Sequence, residues 1–191
     1  MPVFRTVPDA QQGEIKLEAV HQPLYDRVEV DGAGTFSFFQ NPAGRGRFET
    51  NLTTAGQLSW PKRFSIRALR QVPAFTALMT DIQTYLSDTV IRVTVGEKDY
   101  LILPAFLITA GVGLEAQTLL GAADPIAPAN SAVYANLGRP NHQNIYSLIH
   151  SVYLPPVQNF AVTLEVGAAA APANDVPVHL FLEGELLREI Q

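Results

Sequence analysis

Four histidines, His21, His142, His150 and His179, have the widest chemical range of any residues in this chain, since imidazole can bind a metal or carry a proton near neutral pH. A legible metal site needs ligands at short gaps or at i, i+4 spacing, and none of the four has such a neighbour. A cupin-type centre would need His and Glu clustered on adjacent strands. Only His150 and His179 fall in strand-like runs, and they read as ordinary outward-facing strand histidines. The seven serines are scattered, with no G-x-S-x-G elbow and no S-x-x-K. Glu183 and Glu185 could share one side as a glycosidase pair would, but a two-residue spacing is also common on the solvated face of a strand. "GAGTF" and "AGRGRF" lack the strand-then-helix setting of a phosphate loop and read as turns. With no cysteine, disulfides and thiolate metal sites are excluded. The expectation is therefore no catalytic residue, no metal, no cofactor and no enzymatic activity.

The cations are more informative. Between Ala43 and Val72 stand Arg45, Arg47, Lys62, Arg63, Arg67 and Arg70 against the single acid Glu49, a local charge of +5 in a chain whose formal charge is -5. These six residues, with Trp60 as an aromatic anchor beside Pro61, form a candidate patch for an interface or an anionic partner: lipid head groups, nucleic acid or an acidic neighbouring subunit. The competing reading is that Arg63 and Arg67 simply occupy the outer face of an alternating strand, and that Trp60 is core. The pI near 5.3 argues against a general nucleic-acid binder, and no sequence-specific nucleic-acid partner is expected. "NLT" at Asn51 is a glycosylation acceptor only in a secreted eukaryotic chain, of which there is no sign.

The elements that must position these residues are strands. At 191 residues the default is a single domain, residues 1–191. Apolar residues make up 47% and charged ones 16%, which calls for a large enclosed core or a partner subunit covering apolar surface. N-terminal strands are expected over about 14–39, from "GEIKLEAV" to "TFSFF", then a polar connection from Gln40 to Pro61 and the alternating "RFSIRAL". Phe75, Leu78, Met79, Ile82 and Leu86 fall at helical spacing, predicting one short amphipathic helix over about 75–87 with Pro73 in its first turn. "TVIRVTV" and "YLILPAFLI" flank a hairpin turn at residues 96–99 and read as central strands. A long Ala-, Gly-, Pro- and Asn-rich loop spans about 109–143. Strands resume with "IYSLIHSVYL", "FAVTLEV" and "VPVHLFLEGELLREIQ", where Glu183-Gly184 interrupts the alternation as either a hairpin turn or a bulge. No leader peptide or membrane-spanning stretch is evident. About eight strands with one helix predict an all-β fold, an antiparallel jelly-roll sandwich or barrel.

Taken together, "GTFSFFQNP", "AGQLSWPKRFSIRALR", the helix, "IRVTVGEKDYLILPAFLI", "PPVQNFAVTLEV" and "VHLFLEGELLREIQ" resemble the jelly-roll capsid proteins of tailless icosahedral bacteriophages. The nearest group is the single jelly-roll major capsid proteins of membrane-containing phages of the Thermus and haloarchaeal type, over most of residues 30 to 190. The resemblance implies a virion protein made in the host cytoplasm. Its partners would be copies of itself, a sister capsid protein, or both, over an internal viral membrane. Room for only one roll favours dimeric or mixed capsomers over the trimers of double-roll relatives. The alternative is a carbohydrate-binding or adhesion module of a phage or bacterial surface. Exposed aromatics in a row would favour that reading, but Tyr134, Tyr146 and Tyr153 are not evenly spaced on one strand.

Overall fold

The computed structural model of the chain describes residues 3–9, 12–74, 77–108, 115–118, 133–136 and 145–190. In chain order the elements are β1 (Val3–Asp9), β2 (Gly13–His21), β3 (Leu24–Val30), β4 (Gly34–Phe38), β5 (Arg63–Pro73) and α1 (Met79–Ser87). They continue as β6 (Thr89–Val95), β7 (Lys98–Pro104), β8 (Glu115–Thr118), β9 (Val133–Asn136), β10 (Tyr146–Leu154), β11 (Phe160–Val166) and β12 (Val176–Arg188). Ten strands form two antiparallel sheets, and β8 pairs with β9, within the loop expected over 109–143.

One sheet runs β3-β12-β5-β10 and the other β4-β11-β6-β7. β3 and β4, β4 and β5, β5 and β6, β10 and β11, and β11 and β12 thus fall in opposite sheets, while β6 and β7 pair as a hairpin, as the two interlocked Greek keys of a jelly roll require. The hairpin β1-β2 extends the first sheet by pairing with the second half of β12. β12 therefore has β3 beside Val176–Leu182, β2 beside Glu185–Arg188, and β5 along its other edge.

The alternation written in the sequence becomes the core. On β12, Val176, Val178, Leu180, Leu182 and Leu186 are buried, and on β11 Phe160, Val162, Leu164 and Val166 face them from the other sheet. Phe38, Phe39, Phe64, Ile66, Leu69 and Ile91 fill the space between. Each such side chain contributes about 1.5–3 kcal/mol of hydrophobic stabilisation.

Three expectations change, and the choice between hairpin and bulge at Glu183-Gly184 is settled. Glu183-Gly184 is no hairpin: β12 runs straight through it. Glu183 pairs with Ala68 and Gly184 with Ile66, leaving Arg67 of β5 as the extra residue of a bulge. Pro73 closes β5 rather than opening the helix, and the next residue, Ala74, donates its N–H to the Pro177 carbonyl. α1 begins at Met79 with Leu78 exposed before it, so the buried helical face is Ile82 and Tyr85 with Leu86 partly buried, while Phe75 lies outside the described residues. Finally, only β6 is central. β7 is the edge of its sheet, and its apolar run is exposed on one side at Tyr100 and Ile102.

Polar groups inside the sandwich are paired. Tyr85 donates its hydroxyl to Gln71 Oε1 at 2.6 Å, and Gln71 Nε2 donates to the Ala105 carbonyl at 2.6 Å, with both side chains fully buried. Asp81 on α1 accepts from the Ala173 N–H and the Asn174 amide, fastening the helix to the segment before β12.

Candidate interface and ligand surface

The seven residues of the expected patch lie in the connection between β4 and β5 and on β5 itself, and do not form one positive surface. Arg45 lies in the connection after β4 and points at Asp26 of β3, with Nη1 2.7 Å from Oδ1, while its Nη2 donates to the Arg27 carbonyl at 2.6 Å. Asp26 is 1% exposed and its other oxygen accepts the Phe39 N–H. Arg45 is therefore the counter-ion of a buried carboxylate, a structural duty. Arg63 does not stand on a solvated face: it is 7% exposed and lies 3.2 Å from Asp9 Oδ2. The same oxygen accepts the indole N–H of Trp60, which is surface-accessible rather than core. Asp9 thereby ties the end of β1 to the start of β5.

Arg67 and Arg70 do face outward on β5, but each meets a carboxylate of the adjoining β12. Arg67 bonds Glu185 at 2.7 Å, a residue also held by Arg5 at 2.9 Å, and Arg70 bonds Glu183 at 2.5 Å. The side-by-side carboxylates 183 and 185 are thus two rungs of a charge ladder. The contact with Glu185 also raises the pKa of Arg5 above its ordinary value. Of the six cations, only Arg47 and Lys62 have no carboxylate within ion-pair distance among the described residues. No three His, Asp or Glu side chains gather among the described residues in a way that could hold a metal ion.

Arg47 belongs to a different feature, which sequence reasoning missed. On the outer face of the β3-β12-β5 sheet, beneath the 44–50 connection, a shallow hollow of about 540 Å³ is lined by Tyr25, Arg47, Phe48, Arg70, Val72, His179 and Phe181. Tyr25 and Phe181 are cross-strand partners whose rings lie 6.0 Å apart at 40°. The Arg70 guanidinium sits 5.0 Å over the Phe181 ring. Tyr25 fixes the rim by donating its hydroxyl to the Arg47 carbonyl at 2.5 Å, and Phe48 projects at the lip, 94% exposed. Burial, then the nearby Arg27, lowers the His179 pKa, with the Phe48 backbone hydrogen bond and Asp26 opposing and Arg45 adding to the fall. The walls are aromatic and cationic and include no carboxylate. The outward Tyr25 and Phe181 of two alternating strands were the available signal, but nothing in the sequence announces that β3 and β12 are neighbours.

Further apolar side chains are exposed on two edge strands: Ile149 and Tyr153 on β10, and Tyr100, Ile102, Phe106 and Leu107 on and after β7. Against known proteins, the chain matches no family model and no curated protein.

Proposed function

We propose that the chain is a structural subunit of a viral capsid, assembling with copies of itself, a sister capsid protein, or both. The observation that carries the reading is the jelly-roll strand order, joined to apolar side chains exposed on two edge strands, Tyr100 and Ile102 on β7 and Ile149 on β10. Exposed apolar edges of that kind on a monomer are a liability that assembly removes. The similarity to single jelly-roll phage capsid proteins supports the same reading and adds an internal membrane as a further partner. Sedimentation velocity over about a hundredfold range of concentration, at low and high salt, tests it. Defined oligomers or shells that grow with concentration support a capsid subunit. A strict monomer, alone and mixed with lysate of an infected host, would refute it.

A second reading, a carbohydrate-binding or adhesion module, is favoured by the hollow beneath Phe48. Aromatic walls suit the apolar face of a sugar ring, and Arg47 suits a carboxylate. An acidic glycan is the ligand class that follows. Calorimetric titration with glucuronate, with glucose as the uncharged control, distinguishes it: selective binding lost in Arg47→Ala supports adhesion, and no heat with either sugar removes it.

A further inference from the structure

We infer that the pocket between the 51–62 connection and the end of β12 binds a phosphoryl group, with Lys62 as its counter-charge and the Thr53 and Ser59 hydroxyls as hydrogen-bond donors. The pocket shares no lining residue with the hollow beneath Phe48, and its ligand is independent of both readings given above.

The pocket holds about 230 Å³. Leu24, Leu52, Leu58 and Leu186 form its floor and are all buried, so it is closed towards the core. The connection that walls it is tied down on several sides. The Asn51 side chain accepts the Tyr25 N–H at 2.9 Å and donates to the Pro23 carbonyl at 2.8 Å. The Leu58 carbonyl accepts the Val157 N–H at 2.8 Å, and the Lys62 N–H closes a turn on the Ser59 carbonyl at 2.8 Å. Walls held in this way lose little freedom when a ligand arrives.

The pairing of the chain's cations singles out Lys62. Among the described residues, Arg5, Arg27, Arg45, Arg63, Arg67 and Arg70 are in ion pairs, as are Arg92 and Arg188. Lys16 and Lys98 lie over the rings of Phe4 and Tyr100. That leaves Arg47, in the hollow beneath Phe48, and Lys62, half-buried in this pocket. No carboxylate lines the pocket. Arg188 at its rim adds positive charge, and the acid it meets through Nε, Glu18 at 3.0 Å, stands outside the lining. An anion placed here therefore gains a cation and meets no lining acid.

The donors decide which anion. A lysine ammonium is a compact point charge with three N–H donors, and hydroxyls on either side of it donate from separate directions. A tetrahedral phosphoryl group accepts from several directions at once, whereas a planar carboxylate is best served by a free guanidinium fork. Gln22 and Gln57 add amides at the rim, suited to hydroxyls on a body that carries the phosphoryl group.

Amide chemical shifts of the full-length chain, titrated at constant ionic strength and about pH 8, where phosphate is mostly a dianion, test the site. Sodium phosphate should shift the 51–62 and 186–188 amides saturably, with Kd about 1–10 mM, and sodium acetate should bind at least about tenfold more weakly. Lys62→Gln should weaken phosphate at least about tenfold, while Lys98→Gln, on β7, should leave it unchanged. Ser59→Ala, at an exposed side chain, should weaken it about threefold or more without touching the charge. Glycerol 3-phosphate binding more tightly than inorganic phosphate identifies a phosphate ester as the source, and the reverse order identifies the free ion. No saturable shift, shifts that saturate elsewhere, binding undiminished in both Lys62→Gln and Ser59→Ala, or acetate binding as tightly as phosphate would each overturn the assignment.

Discussion

At Gly184 the backbone of β12 passes close to that of β5, and replacing the glycine with alanine measures that approach. A Cβ built there lies 1.9 Å from the Ser65 carbonyl oxygen, 2.9 Å from the Ser65 carbonyl carbon and 3.0 Å from Phe64 Cζ. Real Cβ contacts essentially never fall below 3.0 Å, so over an ångström must be made up. The obstacle is the main chain of β5, which is paired to β12 on both flanks of the bulge, so it cannot swing away as a flexible side chain would. Overpacking a core commonly costs about 1–3 kcal/mol. Here the ladder bonds around Ser65 must also stretch, placing Gly184→Ala at about 3 kcal/mol or above. For a chain of this size each kcal/mol lowers Tm by about 2–4 °C, so the expected fall is about 6–12 °C. Gly32→Ala is the matched control: nothing lies within 4 Å of its Cβ and its φ is outside the left-handed region, so its effect should stay within about 0.5 kcal/mol. Thermal melts by far-ultraviolet circular dichroism, and urea unfolding followed by the single tryptophan, Trp60, give both numbers. A Gly184→Ala protein melting within about 2 °C of wild type would mean that β5 does not bulge against β12 at this point.

Tyr85→Phe should cost about 1–3 kcal/mol by urea unfolding, because Gln71 Oε1 loses the hydroxyl donor it has in the core; Tyr153→Phe, on an exposed side chain, should change almost nothing. Asp26→Ala should cost about 3 kcal/mol, because the buried Phe39 N–H loses its acceptor while the Arg45 guanidinium keeps the Arg27 carbonyl and the more distant Glu49. The Asp26 loss should persist in high salt, because the carboxylate is shielded from solvent ions. The lowered pKa of His179 means that below its ordinary value of 6.5 the unfolded chain binds more protons than the folded one. Stability should therefore decline as pH drops from 6.5 towards the folded-state value. His179→Gln should flatten that part of the urea-midpoint profile between about pH 8 and pH 5, and an unchanged slope would contradict the assignment.

What the sequence could announce was local. Phe160, Val162, Leu164 and Val166 alternate as written, and the Gly96 turn joins β6 to β7 as the spacing predicts, with φ at +63°. β1 escaped notice because Pro8 and a short polar run hide a strand that lies on a sheet edge, where proline is tolerated. The start of α1 was misplaced because the chain folds β5 through Pro73 before turning, a choice made by pairing with β12 and not by helix propensity. The positive patch was legible as composition but not as a surface, since its neutralising acids, Asp9, Asp26, Glu183 and Glu185, lie far off in sequence and reach it only through strand pairing. For the same reason the hollow beneath Phe48 could not be read before β3 and β12 were known to be adjacent.

β12 has consequences for how the molecule is made. It is synthesised after the other eleven strands, yet it supplies the pairing edges that β2, β3 and β5 all require. Until it emerges, β3 and β5 have no strand between them and the sandwich cannot close. Folding is thereby dominated by contacts between distant parts of the chain, which makes it slow and leaves unpaired edges exposed meanwhile. The nascent chain thus carries the open edges of β3 and β5 until β12 is made, and the roll can close only once synthesis has passed residue 188.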